Sequence, residues 1–268
     1  MENKYKWFLN INYFLLDLDG TVYLGKNSLP GAQEFIDYLQ SQGKKILFLT
    51  NNSSQTAMYY VNKLKKMGIS VSDHNVFTSG EATCMFLKTL NPKPKIYLLG
   101  TPALEEEFKK NGIELTEDDP EYVVVGFDMT LTYEKLKKAC IFIRNGKKFI
   151  ATHPDINCPT EEGLIPDAGS IIAAIRASTG LDPEYIIGKP CKEFIEEALR
   201  KIQAKKEQTV IIGDRLYTDI KSGLNAGIKT ILVLTGETRL TDLEKTNIKP
   251  HLIIQSLKDL LHMLKSLH

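Results

Sequence analysis

The sequence predicts an α/β fold: a doubly wound parallel sheet into which a smaller α/β section is inserted. Three observations carry this. Short apolar runs alternate with helical patterns from end to end, the arrangement of βα units. Several runs, among them Tyr13-Phe14-Leu15-Leu16, Ile46-Leu47-Phe48-Leu49 and Val210-Ile211-Ile212-Gly213, are apolar without alternation, as in strands covered on both faces. Residues 83–182 repeat the βα pattern with enough elements for a sheet of their own. The chain therefore divides into a core of 1–82 plus 183–268 and an insert of 83–182.

Residues 13–16 and 46–49 read as the first two buried strands. After Asn52, Ser53 or Ser54 caps a helix that runs to about Met67 and closes at Gly68, with Ala57, Val61 and Leu64 as its apolar stripe. Between Thr83 and Lys95, through Asn91-Pro92-Lys93-Pro94, the chain leaves this pattern. The insert then reads as strand 96–99, helix 102–110, strand 122–126, helix 133–144 and strand 148–152. Glu161-Glu162-Gly163 reads as a loop and 167–178 as a helix, after which Asp182-Pro183 leads back toward Lys189. Strands at 210–212, 230–234 and 252–254 follow. A helix over 256–267 closes the chain, with Leu257, Leu260, Leu261 and Leu264 on one face.

Composition narrows the class. Hydrophobic residues make up 43% and charged residues 25% of 268 positions, an ordinary globular balance with enough apolar content for a core. A formal net charge of +1 gives no overall pull toward nucleic acid or an anionic membrane. The basic stretches Lys63-Leu64-Lys65-Lys66 and Lys205-Lys206 read as solvated helix faces. Cys84, Cys140, Cys158 and Cys191 show no C-x-x-C spacing, which suits free thiols in a reducing, cytoplasmic setting rather than a zinc site. The first twelve residues lack the pattern of a signal peptide, and no apolar run approaches the ~20 residues of a membrane span. Neither G-x-x-x-x-G-K-[ST] nor G-x-G-x-x-G occurs, so nucleotide-loop readings are weak.

The chemistry sits at strand ends. Asp17-Leu18-Asp19-Gly20-Thr21 follows the first apolar run, and Asp17 falls at the edge where open α/β sheets place their ligands. Two carboxylates two residues apart point the same way from an extended chain, so one can attack as a nucleophile while the other handles the proton. Thr50-Asn51-Asn52-Ser53 follows the second run. Gly188-Lys189-Pro190 follows Tyr185-Ile186-Ile187, with Pro190 set to open the next helix. Gly213-Asp214, followed by Asp219, ends a third run. Carboxylate pairs, a hydroxyl with amides and a lysine are the equipment for holding a phosphoryl group and a divalent cation.

These residues resemble the four motifs of the haloacid dehalogenase (HAD) superfamily of phosphohydrolases. Val22-Tyr23-Leu24-Gly25, Val125-Gly126-Phe127-Asp128 and the stretch from Gly213-Asp214-Arg215 to Thr218-Asp219 narrow the resemblance to the NagD-like, nitrophenylphosphatase branch. That branch implies a Rossmann-like core with an inserted α/β cap of the C2 type. It implies a Mg²⁺-dependent phosphatase acting on phosphate monoesters of small metabolites, sugar phosphates or similar, through an aspartyl-phosphate. Asp17 is then the nucleophile and Asp19 the general acid and base. Thr50, Asn51 and Lys189 hold the phosphoryl group. Mg²⁺ is held by the Asp17 carboxylate, the Asp19 main-chain carbonyl and Asp214, with Asp219 orienting this shell. A cation is needed in any case, because at ~4 Å each like-charged pair costs about 4 kcal/mol at an effective dielectric of ~20. Selectivity is assigned to loops of the insert, with Asp128, His153 and Asp155 as candidates at strand ends. The partner expected is a small phosphorylated metabolite, with no nucleic acid and no membrane, and a homodimer is left open. Two alternatives stand beside this reading: a phosphomutase or phosphotransferase with a sugar hydroxyl in place of water, and a non-hydrolytic phospho-binding module.

Overall fold

The computed structural model describes residues 6–160 and 162–266. In chain order, β1 (Tyr13–Asp17) leads into a small hairpin, β2 (Tyr23–Leu24) and β3 (Asn27–Ser28), then α1 (Ala32–Ser41) and β4 (Lys45–Thr50). Next come α2 (Ala57–Lys66), β5 (Val76–Thr78), α3 (Ser79–Leu90), β6 (Lys95–Leu99), α4 (Pro102–Lys110), β7 (Glu114–Leu115) and β8 (Tyr122–Val125). After them run α5 (Tyr133–Arg144), β9 (Lys148–Ala151), β10 (Asn157–Thr160), β11 (Gly163–Pro166), α6 (Ala168–Thr179) and β12 (Tyr185–Ile186). The chain finishes through α7 (Lys192–Ile202), β13 (Thr209–Gly213), α8 (Lys221–Ala226), β14 (Lys229–Val233), β15 (Leu252–Ile254) and α9 (Leu257–Ser266). Two compact units result. One is Met1–Leu49, Tyr60–Phe77 and Lys189–His268; the other is Thr50–Tyr59 with Thr78–Gly188.

Among the described residues, the first unit is built on a six-stranded sheet of order β15-β14-β13-β1-β4-β5. The pairs β1–β4, β1–β13, β13–β14 and β14–β15 are parallel. Strands are added on both sides of β1, the mark of a doubly wound sheet, which puts a topological switch at its carboxyl edge. Leu15, Leu16, Ile211, Ile212, Ile231 and Leu232 are fully buried, which accounts for the absence of polar alternation in these runs. Leu15 lies level with Ile211 on one side and Leu47 on the other. This register brings the last residues of β1, β4 and β13 to one edge. α9 packs on α1 through buried Leu257, Leu260, Leu261 and Leu264, as its periodicity predicts.

The second unit has a five-stranded sheet of order β12-β9-β8-β6-β7, whose recorded pairs are all parallel. Ile96 to Leu99 and Tyr122 to Val125 pair with each other there, in a sheet separate from that of β1. Tyr97, Leu99, Val123, Val125, Phe149 and Ile175 are part of its buried core. Among the described residues, no helix is long and apolar enough to cross a membrane.

Several local expectations need correction. The helix after Asn52 starts at Ala57, not at Ser53 or Ser54, because the Asn52 side chain accepts from Ser54 N at 2.9 Å and Ser54 Oγ at 2.7 Å and holds that segment as a turn. The stretch after Thr83 is not a departure from the pattern but the body of α3, capped by Thr78, whose hydroxyl accepts from Glu81 N at 3.0 Å. Glu162 and Gly163 belong to an antiparallel hairpin formed by β10 and β11; Glu161 lies outside the described residues. Tyr185 and Ile186 join the second sheet beside β9 rather than the first. Pro190 does not open α7, which starts at Lys192 behind Cys191.

Candidate active site

β1 delivers Asp17 as its last residue, and β13 ends at Gly213, one residue before Asp214. After Arg215 the chain makes a π turn, Leu216–Ile220, which brings buried Asp219 back toward the strand end. Its Oδ2 accepts from Arg215 N at 3.1 Å, fixing the turn on itself. A Cβ on Gly213 would come within 2.3 Å of the Asp219 Cβ, so glycine is what lets this carboxylate approach the strand. Lys189 is 3% exposed, and its Nζ donates to Asp17 Oδ1 and, at 2.6 Å, to Asp219 Oδ1. Four of the predicted residues therefore converge: Asp17, Lys189, Asp214 and Asp219. Asp19 sits in the turn after β1, bridged to Tyr23. Thr50 closes β4, and Thr50 and Asn51 group with the second unit.

Charge is concentrated here at low exposure. Burial, and then neighbouring Asp219, pushes the Asp17 carboxyl well above the ordinary range despite Lys189. The same two causes raise Asp214 to about 6. Burial opposes the Lys189 charge, but Asp17 and Asp219 outweigh it and hold the ammonium above its usual range. Asp19 is exposed as a residue, yet burial of its carboxyl raises it against the pull of Lys63.

The donor set fits a hard divalent cation. Asp17, Asp214 and Asp219 each offer a carboxylate oxygen, all within 4.8 Å of one another. Asp214 Oδ1 is buried with no hydrogen-bond partner among the described residues, a costly condition that a cation relieves. Its other oxygen is held by a loop that sequence reasoning missed. Glu237 N donates to Asp214 Oδ2 at 2.6 Å, and Thr235 Oγ1 donates to Gly20 O at 2.7 Å. Gly236 lies so close that a Cβ there would sit 2.0 Å from Asp214 Oδ2. The signal available was Thr235-Gly236 directly after an apolar strand, the same design as the other strand ends.

These shifts fix a pH dependence for the metal-free protein. Folded-state values raised above the unfolded ~3.9 mean that the folded protein holds protons the unfolded chain has released between about pH 4 and 6. Stability is greatest at the acid end of that window and falls as pH rises through it. The expected loss between pH 5 and 7 is about 1–3 kcal/mol, and Mg²⁺, which favours the ionised carboxylates, should restore more at pH 7 than at pH 5. Urea melts with and without Mg²⁺ at both pH values check this. A metal-free midpoint that rises from pH 5 to 7 contradicts it.

The three residues put forward for selectivity are placed differently from one another. Asp128 is buried, with Oδ1 taken by Thr130 N and Oγ1 and Oδ2 by Lys135 Nζ at 2.9 Å. His153 is fully buried, its Nε2 2.8 Å from Asp167 Oδ1 and its Nδ1 2.9 Å from Thr152 Oγ1. Asp155 is half-buried and accepts from Asn51 Nδ2 at 3.0 Å. His153, Asp155 and Asp167 also lie close enough to share an ion. Both ring nitrogens of His153 already have protein partners, so the group reads as a hydrogen-bonded network.

Two family profiles match the chain: "Haloacid dehalogenase-like hydrolase" over residues 14–114 and a HAD-hydrolase-like profile over 186–260. An acid sugar phosphatase of Staphylococcus aureus is 39% identical over 248 residues, covering 92% of this chain and 94% of that protein. Among solved structures, a 4-nitrophenylphosphatase from Thermotoga maritima is 50% identical with a TM-score of 0.92, covering 96% of this chain and 98% of the other. NagD from E. coli K-12 is 36% identical with a TM-score of 0.87, covering 93% and 98%. Motifs, sheet order and whole-length similarity agree: the chain belongs to the haloacid dehalogenase-like hydrolase family, in its NagD-like phosphatase branch.

Proposed function

We propose that this protein is a Mg²⁺-dependent phosphatase of small phosphorylated metabolites, sugar phosphates among them, working through an aspartyl-phosphate on Asp17. The observation that carries the reading is Lys189 buried between Asp17 and Asp219, in a cluster with an Asp214 oxygen that has no hydrogen-bond partner among the described residues. The sugar-phosphate class draws on the acid sugar phosphatase relative. In the first half-reaction an Asp17 oxygen attacks phosphorus in line, the bond to the leaving oxygen breaks, and Asp19 protonates that oxygen. Burial moves the Asp19 carboxyl upward, the direction that favours a proton donor. In the second half-reaction Asp19 takes a proton from water, the water oxygen attacks phosphorus, and Asp17 leaves as carboxylate. Lys189, the Thr50 hydroxyl and the Asn51 N–H hold the phosphoryl oxygens as charge shifts among them. Asp17, the Asp19 carbonyl, Asp214 and Asp219 form the cation site, and bound Mg²⁺ supplies the positive charge that lets a phosphate dianion approach these carboxylates.

Selectivity among phosphate esters is carried by the inserted section, 83–182, in the loops after β8 and β9. Asp128 and His153 shape those loops from within. The test is phosphate release across sugar phosphates, nucleotides, pyridoxal phosphate and glycerol phosphates, without a phosphate acceptor. We expect turnover that is removed by EDTA and restored by Mg²⁺. Activity that survives exhaustive chelation overturns the cation site, and product formed only when an acceptor hydroxyl is supplied points to phosphoryl transfer instead.

A further inference from the structure

Asn51 is held at both its main chain and its side chain. Its carbonyl accepts from Ser79 Oγ, on the first residue of α3, and its Nδ2 donates to Asp155 Oδ2 at 3.0 Å. Behind these partners runs a buried network. The Asp167 carboxylate only accepts, so His153 Nε2 carries the proton that spans their 2.8 Å contact. Nδ1 of His153 lies 2.9 Å from the Thr152 hydroxyl oxygen. Thr152 Oγ1 shares a hydrogen bond with Ser53 Oγ at 3.1 Å, and Ser53 Oγ accepts from Phe127 N at 2.9 Å. Ser79 Oγ lies 3.4 Å from the same His153 nitrogen while its proton goes to Asn51. The network ends on Asp167, the residue that caps α6.

Asp155 is fixed from the same helix. Its carbonyl accepts from Gly169 N at 2.7 Å, and a Cβ on Gly169 would sit 2.4 Å from Pro154 O, so the loop rests directly on the start of α6. All of these residues belong to one compact unit. The side chains of Ser53, Ser79, Thr152 and His153 are fully buried. That is a large investment of buried polar groups around one loop, and each is satisfied.

We propose that Asp155 is a positioning residue for phosphate binding: with Ser79 and His153 behind it, it fixes the Asn51 peptide so that the N–H meets a phosphoryl oxygen without reorganising. The inference rests on the phosphatase reading, which gives Asn51 that N–H. A peptide donor stabilises an oxyanion only if it is aimed beforehand, and tethers that act through another residue reveal themselves in binding before chemistry. The ligand chemistry is a phosphate dianion, common to substrate and to inorganic phosphate.

The test is a double-mutant cycle of Asp155→Ala and Asn51→Ala in the full chain, since both remove the same tether and Asn51→Ala keeps the backbone N–H. Readouts are kcat and KM for an aryl phosphate, inhibition by inorganic phosphate, and the thermal stabilisation given by Mg²⁺. Each single variant should raise KM and the phosphate inhibition constant about 3–10-fold, with a smaller change in kcat. The double variant should be no worse than either single one. Asp155→Asn, whose carboxamide oxygen still accepts from Asn51, should stay near wild type, and Mg²⁺ stabilisation should be unchanged throughout. Additive losses in the double variant overturn the proposal, as does an Asp155→Asn protein as impaired as Asp155→Ala. If Asp155→Ala does not fold, Asn51→Ala and Asp155→Asn read the tether from its two ends. Failure of the phosphatase reading is distinct: the wild-type protein then releases no phosphate from any ester.

Discussion

Asp17→Asn is expected to fold, to keep its ion pair between Lys189 and Asp219, and to release no measurable phosphate. An amide cannot form the phosphoenzyme, and losing a nucleophile of this kind costs about 10⁴-fold or more in turnover. The expected stability change runs the other way. Burial and Asp219 already disfavour the ionised form of Asp17, so replacing it removes repulsion in the metal-free protein while Lys189 retains Asp219 as a partner. A protein that melts no lower than wild type at pH 7 but has lost turnover locates the defect in the chemistry. Near-normal release from a folded Asp17→Asn protein ends the covalent mechanism.

Lys189→Met should do the opposite and damage the fold first. It leaves Asp17, Asp214 and Asp219 buried against each other with no ammonium between them. Removing one member of a buried ionic group costs about 3–5 kcal/mol, because the survivors remain desolvated and uncompensated. In urea without metal the midpoint should drop accordingly, and Mg²⁺ should recover part of the loss by returning positive charge to the cluster. Turnover should stay low even where Mg²⁺ restores the fold, since the transferring phosphoryl group still lacks its fixed cation. An unchanged metal-free midpoint contradicts the view that Lys189 balances these carboxylates.

The two proteins probe residues that the sequence announces clearly, and the reason is local. A buried parallel strand is a short apolar run, and whatever follows it lies at the ligand edge. Asp17 and Asp214 can thus be found without knowing what pairs with what. Lys189, by contrast, follows a short strand of the other sheet and stands out only beside the other motifs. α3 was misread as a break in the pattern although its start carries a local signal, Thr78-Ser79-Gly80-Glu81, with the Thr78 hydroxyl accepting from Glu81 N. Other features were hidden because they are decided by distant partners. Nothing in Tyr185-Ile186 says that it pairs with Ile150 and Ala151 rather than with the first sheet. Nothing in His153 or Asp128 says which way a polar side chain after a strand will turn, and both turn inward to partners at positions 167 and 135. The loop at 235–238 was missed for a different reason: it holds Asp214 through an amide N–H that nearly every residue type possesses.

That last point has a consequence for how the site tolerates change. Because the Asp214 carboxylate is gripped by the main chain of residue 237, the identity of the side chain there is largely uncoupled from the grip. Any residue except proline brings the same amide, so position 237 is open to drift, even though Glu237 now serves an ion pair with Arg215 at 3.0 Å and accepts from the Tyr217 hydroxyl at 2.6 Å. Position 236 has no such latitude, since even one methyl group collides with the carboxylate. Adjacent residues in one turn thus face opposite evolutionary constraints, and the outer rim of the pocket can be recoloured without touching the inner oxygen cage.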